Sequence, residues 1–162
     1  MDFRDELNTF FVDCFYSILS AEEKNLEAVT NGAVTLKEIH LIEAVFQSKQ
    51  SGENNFSTIA KKLKVTPGTL ATAFAKLEKK GYLVKEQDKK DKRIFYVNPT
   101  RLAEFINNEH TKFHEKLIEG VSCALSDEEQ HNLAHSLKHL KQFFDNLNYW
   151  ESPDKNLKTP KK

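Results

Sequence analysis

Cysteine is scarce in this chain, with two in 162 residues, Cys14 and Cys123, set far apart. That excludes a disulfide framework and a cysteine-rich zinc site, and reduced core thiols are the expectation. Glycine and proline are almost as thin, at five and four residues, which removes the collagen-like and low-complexity classes. No apolar run approaches the ~20 residues of a membrane-spanning helix. The start, Met1-Asp2-Phe3-Arg4-Asp5-Glu6, lacks the basic-then-apolar order of a signal peptide. A cytoplasmic chain with no membrane span is therefore expected. Catalytic signatures are missing as well: there is no H-E-x-x-H, no glycine-rich phosphate loop and no carboxylate pair in a pocket-like context. An enzyme is not expected, and no cofactor is required.

What is present is 39% hydrophobic and 30% charged residues, a balance suited to a helix-rich domain. Net charge is zero, but it is unevenly spread. Residues 1–55 carry 4 basic and 10 acidic side chains, residues 56–98 carry 11 and 4, and residues 99–162 carry 9 and 10. A cationic centre in a neutral chain is a localised footprint for phosphate.

Phe3, Leu7, Phe10, Phe11, Cys14, Phe15, Ile18 and Leu19 recur every three or four residues, which predicts one long amphipathic helix to about Val29. After Asn31-Gly32, Thr35 precedes a second helical pattern of Leu36, Ile39, Leu41, Ile42, Val45 and Phe46. A short helix follows with Ser57 as the expected N-cap and Ile59, Ala60 and Leu63 inward. Thr66 then caps a third helix whose first position is Pro67, whose inward stripe is Leu70, Phe74 and Leu77, and whose stop is Gly81. Tyr82–Lys85 and Ile94–Val97 read as a β-hairpin around a charged tip. Pro99-Thr100 is expected to start another long helix, and Ser126-Asp-Glu-Glu129 is a capping box opening the last. The tail, 149–162, reads as frayed.

Two helices, a short turn and a basic hairpin make a winged helix-turn-helix, so the fold class is mainly α with a small β-hairpin wing. With its stripe inward, the third helix shows Thr66, Gly68, Thr69, Thr72 and Lys76 outward, small donors suited to a major groove. Lys89, Lys90, Lys92 and Arg93 at the wing tip are expected on the phosphate backbone or in the adjacent minor groove. His110 and His114, at i and i+4, share one helix face with metal-ligand spacing.

Ile59-Ala-Lys-Lys-Leu-Lys-Val-Thr-Pro-Gly-Thr-Leu70, Leu77-Glu-Lys-Lys-Gly-Tyr-Leu83 and Asp91-Lys-Arg93 resemble the MarR (multiple antibiotic resistance regulator) pattern. The resemblance covers about residues 5–148 and is strong from 56 to 98. It implies a homodimeric winged-helix regulator of transcription on double-stranded palindromic DNA. The implied division is a helical dimerisation region at 1–34 and 99–148 around a DNA-binding domain at 35–98. Where the family usually has Leu-Thr after the wing, this chain has Pro99-Thr100.

Within that family, Leu19-Ser-Ala-Glu-Glu-Lys-Asn-Leu26, Lys37-Glu-Ile-His40 and His110-Thr-Lys-Phe-His114 make the chain most similar to the FabT-type repressors of fatty-acid synthesis genes. That likeness implies long-chain acyl-acyl carrier protein as effector and an acyl tunnel lined by the phenylalanine-rich helices. Resemblance to zinc-uptake regulators of the same family implies a zinc site at Glu22, His40, His110 and His114. The other reading of those four is a polar, hydrogen-bonded cluster near the effector pocket. Peroxide sensors of the family suggest a redox role for Cys14, against which stands its place in an apolar stripe. Phe3, Phe10, Phe143, Phe144 and Leu147 lie on helices whose apolar stripes look too wide for one small core, which supports a dimer.

Overall fold

The computed structural model describes residues 2–146, so Leu147 and the tail at 149–162 lie outside the described residues. The elements are α1 (Phe3–Thr9), a π-helical turn (Phe10–Cys14), α2 (Phe15–Thr30), α3 (Leu36–Gln50), α4 (Phe56–Lys62) and α5 (Pro67–Lys79). They are followed by β1 (Leu83–Gln87), β2 (Phe95–Pro99), α6 (Arg101–Ala124) and α7 (Asp127–Asn146). The fold is mainly helical with one antiparallel hairpin, as the pattern predicts. Two compact units divide the chain within α6, the first ending at Lys116 and the second beginning at Leu117. Among the described residues no helix is long and apolar enough to cross a membrane.

The first unit is built on α3, α4 and α5. Ile39, Ile42 and Val45 of α3 are fully buried, and with Ile59, Leu70, Phe74, Leu77, Leu83 and Val97 they form one core. Phe56 packs edge-on against Phe74, ring centres 5.1 Å apart. Thr35 accepts from the Glu38 N–H while the Glu38 carboxylate accepts from the Thr35 N–H, a reciprocal cap on α3. Glu38 also takes the Lys80 ammonium at 2.8 Å on both oxygens, and Lys80 donates to the Ala33 carbonyl as well. This pair ties the start of α3 to the residue closing α5. Gly81, at φ +80, then turns the chain into the wing through the left-handed region that a side chain disfavours.

The hairpin pairs Leu83 with Pro99 and Gln87 with Phe95, so each strand starts one residue later and ends two residues later than expected. Pro99 therefore ends a strand instead of starting a helix. Thr100 starts α6 by accepting the Ala103 N–H, and its hydroxyl lies 2.8 Å from the Gly81 carbonyl and 3.1 Å from that of Tyr82. The cap of α4 also differs from expectation: it is Asn55, whose side chain accepts from the Thr58 N–H, and not Ser57. Asn54 and Asn55 are held against β2, with the Val97 N–H donating to the Asn54 carbonyl and Asn55 bridging to Tyr96, and that pairing fixes where the helix can begin.

The expected uninterrupted first helix contains a π turn, which adds residues to one turn and rotates the stripe beyond it. Among the described residues several of its apolar side chains are left uncovered: Phe3, Phe10, Phe15 and Tyr16 are each at least half exposed. Cys14 is accordingly half-buried and Cys123 exposed, so neither is the core thiol expected. In the second unit, Ser126 and Glu129 form the expected capping box, and Leu133, Leu137, Phe143 and Phe144 are exposed on α7.

Glu38 yields a pH dependence. Burial raises its pKa, but the hydrogen bonds from Lys80 and Thr35 outweigh that and hold it below its ordinary 4.5. A depressed carboxyl contributes stability that is present above the unfolded value and lost as pH falls through the folded one. Urea unfolding of wild type and Glu38→Gln should therefore converge as pH drops below about 4.5, with wild type the more stable at neutrality. A constant difference from pH 7 to pH 3 would contradict this.

Candidate nucleic-acid interface and a carboxylate–histidine cluster

α5 is set by its ends and its stripe. Thr66 caps it by accepting the Thr69 N–H at 3.2 Å, Pro67 occupies the first turn, and Leu70, Phe74 and Leu77 are buried. Opposite that stripe, Thr66, Gly68, Thr69, Thr72 and Lys76 are all exposed, as the spacing predicts. The Thr66 and Thr69 hydroxyls share a hydrogen bond at 2.9 Å, and Thr72 donates to the Gly68 carbonyl at 3.1 Å. The helix therefore presents a narrow, low-relief ridge. Ala71, Ala75 and Lys79 line a shallow groove with Thr72 and Lys76. These three are absent from the face expected of the sequence, although their i, i+4 spacing from one another, and the i, i+3 steps from Thr72 to Ala75 and from Lys76 to Lys79, signal the shared surface.

Lys89, Lys90, Lys92 and Arg93 are exposed at the wing tip. Arg93, whose side chain is 91% exposed, is nevertheless oriented. Its Nε donates to Asp91 Oδ1 at 3.1 Å, its Nη2 to Oδ2 at 3.2 Å, and its backbone N–H to Oδ1 at 3.0 Å. The side-chain hydrogen bond from Arg93 holds the Asp91 carboxyl below its ordinary range. A guanidinium held this way projects from the wing in one orientation, suited to phosphate or a narrow minor groove. Lys85 lies over the Phe95 ring at 5.6 Å on the hairpin.

The other cluster lies within the first unit, where α2, α3 and α6 bring Glu22, His40, His110 and His114 together. Glu22 and His110 are buried. Glu22 Oε1 lies 2.6 Å from His110 Nε2, 3.0 Å from His40 Nε2 and 3.6 Å from His114 Nε2, and the Nε2 atoms of His110 and His114 are 3.2 Å apart. Burial pushes the Glu22 pKa up, and the hydrogen bonds from His110 and His40 more than reverse it, so the carboxyl sits below its ordinary value. An ionised carboxylate only accepts, so His40 and His110 meet it with Nε2–H. The donor atoms of Glu22, His40 and His110 lie within 4.8 Å of one another. Imidazole nitrogen and carboxylate oxygen are donors that zinc accepts, and with each Nε2 deprotonated this nitrogen–oxygen set fits such an ion in its chemistry. The cleft beside the C-terminal half of α2 is lined by Leu26, Glu27, Val34, Leu36 and neighbours, with no phenylalanine.

Residues 34–95 match the model of the MarR family, and this stretch of the chain is a MarR family domain. The fold is similar to that of Streptococcus pneumoniae FabT, solved in complex with DNA, at a TM-score of 0.82 and 27% identity over 90% of this chain and 99% of that one. The S. aureus MepR–DNA complex is similar in fold, with a TM-score of 0.63 and 19% identity over 80% of this chain and 94% of that one. The HTH-type transcriptional regulator SarZ of Staphylococcus haemolyticus (strain JCSC1435) is 29% identical over 86 residues. That match takes in 53% of this chain and 57% of SarZ.

The unequal burial of the histidines separates their roles in stability. His110→Ala takes a hydrogen-bond partner from a buried carboxylate and should cost about 3 kcal/mol in urea unfolding at pH 7. His114→Ala, at a half-exposed side chain, should cost under about 1 kcal/mol. Equal losses would mean that the Glu22–His110 contact does not hold α2 to α6.

Proposed function

We propose that this chain is a homodimeric, sequence-specific DNA-binding transcriptional repressor, reading double-stranded palindromic DNA with α5 and gripping its backbone with the wing. The observation that carries this reading is the pairing of a capped, low-relief helix with a wing bearing an oriented arginine and three exposed lysines. The likeness in fold to FabT bound to DNA supports it. Exposed Phe3, Phe10 and Phe15 in the first unit and Phe143 in the second supply apolar surface for a second copy of the chain. Two-fold symmetry then puts two recognition helices about one DNA turn apart. The target genes in this reading are those of fatty-acid synthesis, with long-chain acyl-acyl carrier protein as the effector that tightens operator binding. Thr66, Gly68, Thr69, Thr72 and Lys76 serve as the reading face, and Lys89, Lys90, Lys92 and Arg93 as the backbone clamp.

One observation favours a second reading of the effector. Glu22, His40 and His110 bring ligand atoms within 4.8 Å of one another, and His114 Nε2 lies 3.6 Å from Glu22 Oε1, so a zinc-responsive regulator is the competing assignment. Bound there, zinc would cross-link α2, α3 and α6 of the first unit.

Both readings are tested by fluorescence anisotropy with duplex DNA. Neutralising Lys89, Lys90, Lys92 and Arg93 together should weaken binding to every sequence and lower the log–log salt slope by about 0.9 for each phosphate left without its cation. Thr69 or Thr72 changed to a bulky residue should abolish specific binding and spare much of the non-specific part. Acyl-acyl carrier protein should raise operator affinity by about 5- to 150-fold, and a chelator should change nothing. A chelator-sensitive gain that disappears in His110→Ala/His114→Ala, with no acyl response, would transfer the assignment to zinc. An unchanged salt slope would remove the wing from the interface.

A further inference from the structure

The wing tip holds two carboxylates, Asp88 and Asp91, among its four cations. On a surface that meets phosphate, Coulomb's law alone disfavours both. Asp91 is accounted for by its double contact with Arg93. Asp88 has different partners: its Oδ1 accepts the backbone N–H groups of Lys90 and Asp91, each at 2.7 Å, and its Oδ2 accepts from the Tyr96 hydroxyl at 3.3 Å. The same turn is closed by Asp88 N–H to the Ile94 carbonyl and Ile94 N–H to the Asp91 carbonyl, both 2.9 Å. Gln87 Nε2 adds a hydrogen bond to the Lys92 carbonyl at 2.6 Å.

Together these bonds make a relay of two carboxylates. Asp88 fixes the backbone at Asp91, and the Asp91 side chain in turn fixes both the backbone and the guanidinium of Arg93. Tyr96, on β2 and paired across the hairpin with Glu86, anchors the first carboxylate to the regular part of the wing. A wing tip of long cationic side chains otherwise gives up much conformational freedom when it docks, and ordering it beforehand lowers that cost.

We infer that Asp88 is a positioning residue that raises DNA affinity despite its negative charge, by holding the wing tip and, through Asp91, the Arg93 head in their docking geometry. This rests on the DNA-binding reading above. The backbone hydrogen bonds from Asp91 and Lys90 keep the Asp88 carboxyl below its ordinary range, consistent with an ionised acceptor at neutral pH. An organising role and plain electrostatics predict opposite signs. Deleting an anion from a phosphate-binding face strengthens binding if charge alone matters, and weakens it if the anion organises the cations.

The test uses the full chain and a labelled mixed-sequence DNA duplex of about 30 base pairs, long enough for two half-sites one turn apart. Asp88→Ala should bind about fivefold more weakly than wild type, although its net charge is one unit more positive. Asp88→Asn keeps an oxygen to accept both backbone N–H groups and should stay within about twofold of wild type. Because Asp88 acts through Arg93, adding Asp88→Ala to Arg93→Ala should cost less than it does alone, a non-additivity that a purely local folding defect would not produce. Asp88→Ala binding as tightly as wild type or tighter overturns the inference, and so do strictly additive losses. Those results leave DNA binding by wild type in place. A wild-type chain that ignores the duplex removes the DNA-binding reading and this inference with it.

Discussion

The exposed face of α5 follows from the burial of Leu70, Phe74 and Leu77 in the core shared with α3 and β1. Leu77 is fully buried, and Leu70 and Phe74 nearly so. Three side chains at spacings of four and three lock the rotation of α5 about its own axis. Once that rotation is set, Gly68, Thr69, Thr72 and Lys76 must face outward. The same core carries Leu83 and Val97, so the wing is anchored to the helix it works beside. Lys80 and Glu38 add a polar tie from the residue closing α5 to the first turn of α3.

Local signals account for most of what is legible in the sequence. Thr66-Pro67 at one end of α5 and Gly81 beyond the other are short-range devices, and each sits where its chemistry predicts. Expectation and structure part where distant pairing overrides a local preference. Ser57 and Asn55 are both good cap residues, and the strand-like contact of Asn54 and Asn55 with β2 decides between them. Pro99 is a plausible helix opener, yet its place opposite Leu83 makes it the end of a strand. The Thr35–Glu38 capping box adds a local device whose three-residue spacing is visible in the sequence, beyond the Thr35 start expected there.

Sites made from distant residues divide the same way. His110 and His114 share a face by their spacing alone, whereas Glu22 meets His110 across 88 residues, and only family resemblance suggests that contact. The π turn at Phe10–Cys14 leaves no mark in a three-or-four periodicity, which absorbs the shift. Asp91 is legible through family resemblance, whereas nothing in the sequence singles out Asp88 within its basic run. Their hydrogen bonds to backbone and guanidinium give them an organising part that composition conceals.

Whether α5 and the wing together meet DNA is tested most directly by amide hydrogen exchange of the full chain, with and without a palindromic duplex. Slowed exchange at residues 66–76 and 88–93, with α2 unchanged, is the expected result. Exchange unaltered at both segments, or slowed only along α1 and α2, would contradict it.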